Sequence, residues 1–383
     1  MLNQDDWAAM GQDALIRGAD ATISRLEFAG WSGYPSFNYM NGAYDLRDAY
    51  VIDREGYFQW IGFLIGRLWL IFRLTGDAKY SDAAHRLCTM ISPHLINRVH
   101  VNADVGFDVY YALCLGALAT KSAELRDQAI NASRGLSNLF LPEPGVFCQM
   151  LPFYATVIDT GAMLLPLMWA KDQDRSLADS ARLHYDNILR FGLVRSDFST
   201  WQRLEFAPGS WEPGSPHTIQ GFRDTSTWTR GQAWAIHSFT SAYEAYRVEK
   251  YLDTALGLVQ WFLIKLGNDL VPPYDFDDPD NVNGPRDSCT AAIVANALLR
   301  LAVLHPPSRA EFRHRASRIL AELVTNYLTS GGVLLHGSWG RAKRRFNLGR
   351  FPQEDVMPYG NYWIAEALFR WQCEDWAILS LGG

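Results

Sequence analysis

The chain is poor in several features that mark whole classes of protein. Its 383 residues include only 5 cysteines. These lie far apart, at positions 88, 114, 148, 289 and 373, and no two of them form a CxxC pair. An odd number of dispersed cysteines argues against a disulfide framework and against a zinc knuckle. We therefore expect buried free thiols.

Blocks of positive charge and long apolar runs are also scarce. Lys and Arg number 35 against 41 Asp and Glu, a net charge of −6, so the chain lacks the electrostatic footprint of nucleic-acid-binding proteins. The short basic run from Arg341 to Arg345 is typical of a solvated loop. No segment approaches the roughly 20 apolar residues of a membrane span, and the first residues do not resemble a signal peptide. These absences predict a cytoplasmic protein that binds neither nucleic acid nor membrane.

Common catalytic motifs are missing as well. The sequence contains no GxSxG elbow, no HExxH helix and no P-loop. Its 9 histidines are scattered, and no group of them has the spacing of metal ligands. The residues therefore point away from a metal site.

What the chain has in excess is aromatic residues. Its 14 Trp, 17 Tyr and 20 Phe make up 13% of the sequence. Several of the Trp residues lie in polar stretches with Gly and Pro, among them Trp201, Trp211, Trp228 and Trp234. Rings in such stretches suit stacking on sugars, but a large core or an interface would account for the same count. Composition alone leaves both interpretations open.

An approximate repeat organises the chain. An apolar residue followed four positions later by Ala recurs five times, from Tyr80 and Ala84 to Phe312 and Ala316. Each copy opens an amphipathic stretch, and residues 4–26 form a sixth. More apolar segments lie between them, at 56–73, 104–120, 154–171, 226–247, 287–304 and 360–380. Six charged helices alternating with six apolar ones predict an all-α fold, an (α/α)6 barrel of six helical hairpins, in a single domain over residues 1–383.

Polar residues collect where the apolar helices begin. Inner helices of such a barrel run parallel, so Asp104, Asp159, Asp224, Arg230 and Asp287 would share one mouth. For Asp104, Asp224 and Asp287, helix capping is the plain alternative. Asp159 lies in an apolar stretch that raises the pKa of a carboxyl and suits a proton donor. Arg230 either pairs with Asp224 or binds a substrate carboxylate.

The stretch from Gln220 to Ile236, QGFRDTSTWTRGQAWAI, resembles the signature of unsaturated glucuronyl hydrolases, glycoside hydrolase family 88. Further matching segments begin at Asp104, Ile158, Pro273, Leu334 and Tyr359, and the likeness runs in order from about residue 50 to 372. The Arg-Gly-Gln-Ala-Trp run favours this family over its relatives, the unsaturated rhamnogalacturonyl hydrolases. Such an enzyme remains an alternative, as does a catalytically degenerate glycan-binding barrel. A sugar epimerase on the same barrel is disfavoured, because no pair of histidines lies at the mouth.

The resemblance implies a substrate and a chemistry. The substrate would be a lyase-generated oligosaccharide with a 4,5-unsaturated uronic acid at its non-reducing end, handled without metal or organic cofactor. Asp159 would protonate C4 and then activate the water that adds at C5. Asp104 matches a second catalytic carboxylate, although Asp108, one turn further on, could compete for that role. The neighbouring sugar, sulfation tolerance and oligomeric state stay open.

The resemblance also assigns substrate-binding residues. These are Arg230, Trp234, Gln202, Trp228, Gln220, Trp60 and His336. Gln202 stands where the family usually has a histidine, and Trp60 would replace a Trp expected near Leu64. Both departures bear on substrate preference more than on the acid chemistry.

Overall fold

The computed structural model describes residues 6–31, 33–40, 43–48, 60–96, 99–281, 283–340 and 356–373. Besides three short 3-10 turns (Ser137–Leu139, Ala170–Asp172 and Pro306–Ser308), the described ranges contain twelve other helical segments. In chain order they are α1 (Asp6–Phe28), α2 (Ile61–Thr75), α3 (Ala78–Leu95), α4 (Val105–Asp108, the π-helical Val109–Cys114 and Leu115–Thr120), α5 (Ala123–Leu136), α6 (Thr160–Met163 and Leu165–Trp169), α7 (Arg175–Arg190), α8 (Thr229–Tyr246), α9 (Glu249–Leu266), α10 (Ser288–Leu304), α11 (Arg309–Glu322, extended by the π-helical Leu323–Tyr327) and α12 (Pro358–Gln372).

The even-numbered helices form a closed inner ring. Helix α2 packs against α4, and the contacts continue through α6, α8, α10 and α12 back to α2. These helices are buried on nearly every side, with Trp69, Tyr111, Phe239 and Trp363 in the core. The odd-numbered helices bury one face only and cover the ring, as their amphipathic sequences predict. The predicted (α/α)6 barrel is confirmed.

Short strands form three antiparallel pairs in the described ranges. They are β1 (Gly33–Met40) with β2 (Ala43–Asp48), β3 (Phe140–Leu141) with β4 (Val146–Phe147), and β5 (Ala155–Val157) with β6 (Arg203–Glu205). The pair β5–β6 aligns Val157 with Arg203 just before α6 begins.

Two residues of the turn between α2 and α3 account for the boundaries of these helices. Asp77 accepts a hydrogen bond from the Lys79 N–H at 3.0 Å and caps α3. Gly76 ends α2 in the left-handed conformation, at φ 71°, which a residue without a β-carbon adopts readily. The resulting tight turn joins an inner helix to the next outer one, as the hairpin pattern requires.

Several predicted boundaries need correction. The third inner helix begins at Thr160 rather than at residue 154, because Ala155–Val157 pair as strand β5. The strand candidate at 332–336 contributes only an isolated bridge between Leu328 and Leu334. The basic run 341–345, residues 56–59 and the segment after 373 lie outside the described residues.

The predicted thiol state is confirmed, since all five cysteines are free and four of them are buried. No helix within the described ranges has both the length and the apolarity to cross a membrane.

Candidate active site

A cavity of about 140 Å³ opens where the inner helices begin. Trp60, Asp104, Asp159 and Trp228 immediately precede α2, α4, α6 and α8, and Tyr359 lies in the first turn of α12. The parallel arrangement of the inner helices brings these five side chains to one mouth. The polar lining consists of two carboxylates, two guanidinium groups and three amides: Asp104, Asp159, Arg203, Arg230, Gln149, Gln202 and Gln220.

Asp159 is a half-buried acid at the start of α6. Its carboxylate makes no capping hydrogen bond, and its Oδ1 is buried without a partner among the described residues. Burial raises the pKa of this carboxyl to about 6, against the opposing charge of Arg230. A carboxyl with such a pKa is protonated in part of the population near neutral pH and can act as a general acid.

Asp104 and Asp108 differ in access to the cavity. Asp104 lines it without capping α4, and its N–H donates to Asn102 Oδ1 at 3.0 Å. Asp108 is fully buried behind it, where Oδ1 accepts a hydrogen bond from the Gly62 N–H at 2.6 Å. Burial raises the pKa of Asp108 to about 8, the Gly62 N–H opposes this, and the charge of Asp104 adds to it. Of the two, Asp104 alone lines the cavity.

Arg230 is held by a different partner from the one considered in the sequence. Its Nη1 donates to Asp287 Oδ2 at 2.7 Å and to the Ser338 carbonyl, and Nη2 donates to the Trp339 carbonyl at 2.8 Å. The pairing with Asp224 is therefore wrong. Nε and the second hydrogen of Nη2 have no partner among the described residues, so only part of the guanidinium fork is left for a ligand.

Asp287 holds this arginine and also caps a helix. Its Oδ1 accepts hydrogen bonds from the N–H groups of Cys289 and Thr290 at the start of α10, as the capping interpretation predicts. Asp224 instead accepts a bond from the Thr218 N–H at 3.2 Å within the preceding loop. The three candidate capping residues thus have three different roles.

Gln202 organises the loop that follows β6. Its Oε1 accepts hydrogen bonds from the Thr218 hydroxyl at 2.5 Å and from the N–H groups of Ile219 and Gln220 at 2.7 and 3.0 Å. Its Nε2 donates to Gln220 Oε1 at 2.6 Å, and Gln220 Nε2 donates to the Trp339 carbonyl at 2.8 Å. This series of hydrogen bonds fixes the orientation of both side-chain amides, because neighbouring groups determine which atom of each amide donates and which accepts.

Aromatic rings form the apolar part of the lining. Trp60 adopts a left-handed backbone conformation, at φ 58°, and meets the edge of Tyr359 at 5.6 Å between ring centroids. Trp234 lies 5.4 Å from Phe107, and the Arg230 guanidinium lies 4.6 Å over the Trp228 ring. A large residue at positive φ costs backbone energy, and such strain is concentrated at functional sites.

Only two of the four loop tryptophans singled out in the sequence line the cavity, Trp228 and Trp234. Trp201 lies under the Arg195 guanidinium at 3.8 Å, and Trp211 packs against Tyr154 at 5.7 Å. These two rings stabilise the loop instead.

The chain is similar over most of its length to several known hydrolases. It is 30% identical to the unsaturated glucuronyl hydrolase of Formosa agariphila over 327 residues, which cover 81% of this chain and 79% of that one. It is 26% identical to the unsaturated chondroitin disaccharide hydrolase of Streptococcus pneumoniae, over 83% and 82% of the two chains. The crystal structure of unsaturated glucuronyl hydrolase from Bacillus sp. GL1 superposes with a TM-score of 0.83 at 28% identity, over 94% of this chain and 96% of that one.

The chain belongs to the unsaturated glucuronyl hydrolases. It is therefore a glycoside hydrolase, and the family resemblance stated from its motifs is confirmed. No protein-family model matches the chain, so the assignment depends on individual relatives and on the fold.

The structure brings together eight of the nine side chains that the resemblance assigns to the site. The exception is His336, which is not part of the cavity lining in the described ranges. Its backbone is left-handed, its carbonyl accepts a hydrogen bond from the Ser288 N–H, and its ring lies 5.7 Å from Tyr327. The roles of the other eight remain predictions.

Sequence reasoning missed three cavity residues whose polar groups could contact a ligand: Arg203, Gln149 and Tyr359. Tyr359 is the first residue of a motif used for the resemblance, and Arg203 directly follows Gln202. Their positions in the sequence alone could have identified both as candidates. Gln149 gives no such signal, because it lies 11 positions before α6 and reaches the cavity only through the pairing of its segment with Asn102 and Ala103, just before α4.

Proposed function

We propose that this chain removes a 4,5-unsaturated uronic acid from the non-reducing end of oligosaccharides by hydrating the C4=C5 double bond. The names of its relatives support this activity. The observation that carries it is the Asp159 carboxyl, which lines a cavity with tryptophan rings and has Oδ1 buried without a partner among the described residues; burial raises its pKa to about 6. A vinyl ether reacts with a proton first, so a protonated acid next to the sugar ring is the requirement that this site meets.

The reaction proceeds in two proton transfers at one residue. Asp159 gives its proton to C4, and positive charge develops at C5 beside the ring oxygen. The resulting carboxylate takes a proton from water as the oxygen adds to C5, which regenerates the acid. The net change is addition of one water, and the hemiketal opens and releases the rest of the oligosaccharide. Since no displacement occurs at the anomeric carbon, carboxylate separation does not determine retention or inversion here.

Other lining residues bind and orient the sugar. The rings of Trp60, Trp228 and Trp234 offer stacking surfaces, and the fixed amide of Gln220 offers polar contacts. Arg230 contributes positive charge to the uronate through Nε and the second hydrogen of Nη2, which Asp287 and the two carbonyls leave unused. Asp104 remains the second carboxylate, and the burial of Asp159 already accounts for the largest part of its raised pKa.

The test is turnover of lyase-generated unsaturated disaccharides that differ in the second sugar: a hexosamine, a neutral hexose or rhamnose. We expect loss of the ultraviolet absorbance of the conjugated alkene, and uptake of one labelled oxygen from water into the released keto acid. A saturated uronyl disaccharide is the control. Preference for rhamnose would favour the rhamnogalacturonyl alternative. Tight binding of every disaccharide without loss of absorbance would mean a degenerate glycan-binding barrel.

Two further parts of the proposal concern the whole chain. We keep a single catalytic domain, supported by the closed ring of inner helices. We also keep a cytoplasmic location, supported by the free state of all five cysteines.

A further inference from the structure

Two arginines line the cavity, and they differ in how their charge is satisfied. Arg230 is bound through Nη1 and Nη2 to the buried Asp287 and to two carbonyls. Arg203 is also buried, with 8% of its side chain exposed, yet its side chain forms one hydrogen bond within the described ranges, from Nε to Glu205 Oε1 at 3.1 Å. Its Nη1 and Nη2 donate to no described residue. The cavity therefore contains a guanidinium with its outer donors unused.

The counter-charge of Arg203 is weak. The side chain of Glu205 is 53% exposed, so water screens its attraction. The same Oε1 atom lies 3.5 Å from His217 Nε2, which competes for it. A buried guanidinium with an exposed, shared carboxylate keeps most of its ability to attract a second anion.

The strand pair β5–β6 fixes where Arg203 lies relative to Asp159. Arg203 pairs with Val157, two residues before Asp159, and Glu205 pairs with Ala155 at the far end of the strand. Arg203 thus lies between the reacting end of the cavity and the exposed edge marked by Glu205. Under the proposed function the uronate lies against Asp159, which leaves Arg203, on the adjacent strand, for the sugar next to it.

Building on the proposed function, we propose that Arg203 binds an anionic oxygen group, a sulfate ester or a carboxylate, on the sugar next to the unsaturated uronate. Arg203 is then a specificity residue for charged oligosaccharides. The chain carries a net charge of −6 and repels anionic substrates overall, so recognition of a second negative group needs a local cation of this kind. Two unused η nitrogens match the two oxygens of one such group.

The first experiment compares steady-state kinetics on three matched unsaturated disaccharides, with an unmodified, a sulfated and a carboxylated second sugar. For Arg203→Gln we expect kcat/KM on at least one charged substrate to fall about tenfold or more, mostly through KM. The loss on the unmodified substrate should be clearly smaller than the loss on that charged substrate, because its second sugar offers no anionic group to the guanidinium. Arg134→Gln is the matched control, because Arg134 also donates through Nε to a carboxylate at 3.1 Å, that of Asp174, but far from the cavity. Which charged substrate is affected identifies the anion.

An equal loss on all three substrates, or no loss on any, would overturn the proposal. Binding of inorganic sulfate, followed by the fluorescence of the cavity tryptophans, makes the test independent of turnover. The wild-type protein should bind sulfate, and Arg203→Gln should bind it at least about tenfold more weakly. If no disaccharide is hydrolysed, the proposed function fails, and the sulfate measurement still decides on Arg203.

A second variant covers the case in which Arg203→Gln does not fold. Glu205→Gln leaves Arg203 in place and removes the competing carboxylate, so sulfate binding and KM for the charged substrate should both improve by a few fold. Weaker or unchanged binding in Glu205→Gln would contradict the proposal.

Discussion

The inner helices contain two sets of buried charged residues, and the two sets are built differently. Deep in the ring, in the C-terminal halves of the helices, Arg300 Nη2 contacts Glu244, and Arg370 Nε donates to Glu366 Oε1 at 2.8 Å. At the N-terminal mouth, Asp159 has no such counter-ion and one of its oxygens has no hydrogen-bond partner among the described residues. We call the first set the paired cluster (Glu244, Arg300, Glu366 and Arg370). We call the second region the mouth, which is the cavity at the starts of the inner helices with Asp159 as its acid.

The difference appears in the pKa values of the acids. Burial alone would raise the pKa of Glu366, but the charge of Arg370, the Tyr362 hydroxyl and the charge of Arg300 outweigh it and lower the pKa. Burial raises the pKa of Asp159 to about 6, because Arg230 opposes it only in part and is itself engaged by Asp287. A close arginine partner therefore keeps a buried carboxylate charged. A carboxyl without such a partner has a raised pKa and can exchange a proton.

The largest expected effect is that of Asp159→Asn at the mouth. The amide keeps the shape of the side chain and removes the transferable proton, so kcat should fall at least about a thousandfold. Thermal unfolding followed by circular dichroism should show no loss of stability, since no ion pair is broken. The surface variant Asp269→Asn, which removes a partner of Arg286, is the control. Retention of near wild-type turnover in Asp159→Asn would refute the assignment.

The matching change in the paired cluster should have the opposite profile. Glu244→Gln leaves the buried Arg300 guanidinium without its salt bridge, which should lower the free energy of unfolding by about 3–5 kcal/mol. The folded variant should keep kcat/KM within about threefold, because Glu244 does not line the cavity. Denaturant unfolding and the alkene assay measure the two quantities, with the exposed Glu249→Gln as control. Lost activity in a fully stable Glu244→Gln would erase the distinction between the two regions.

The sequence predicts these two regions unequally. Helical periodicity and the alternation of charged with apolar segments are local properties, so the barrel, the common mouth and the position of Asp159 could be predicted. The partner of Arg230 could not, because Asp287 lies 57 positions away and Asp224 is the nearer candidate along the chain. The same limit applies to Arg203. Its counter-ion Glu205 lies only two residues away in β6, but the position of Arg203 beside the cavity depends on the pairing of β6 with β5. Which of several carboxylates pairs with an arginine depends on tertiary geometry, and the spacing of residues along the sequence does not determine it.

The pH dependence of turnover is a smaller effect that probes the mouth without mutation. The acid must hold its proton to react, and the folded-state pKa of Asp159 is about 6. We expect kcat/KM to be highest below that pH and to fall about tenfold per unit above it. A profile measured from pH 4.5 to 8 on the unmodified disaccharide checks this. A flat profile through pH 7 would show that a different group donates the proton.

The smallest effect on activity is expected for Asp108, a carboxyl that belongs to neither region. Like Asp159 it forms no ion pair with a described residue and has a raised pKa, here about 8, but it is fully buried and does not line the cavity. If a raised pKa alone made a catalytic acid, Asp108→Asn would abolish turnover. We expect instead that kcat/KM changes by less than about threefold, because the substrate does not reach this residue.

Stability provides the second measurement on Asp108→Asn. Folding raises the pKa of Asp108 from 3.8 to about 8, so the native state retains a proton that the unfolded chain loses, and wild-type stability falls as the pH rises through this window. The asparagine has no proton to lose and still accepts the Gly62 hydrogen bond. Its advantage over the wild type should therefore grow from pH 4 to pH 8, to the order of 1 kcal/mol or more. If the difference in stability between Asp108→Asn and the wild type did not change with pH and turnover were lost, Asp108 would belong to the catalytic site. Contact with the cavity would then not distinguish Asp159 from Asp108.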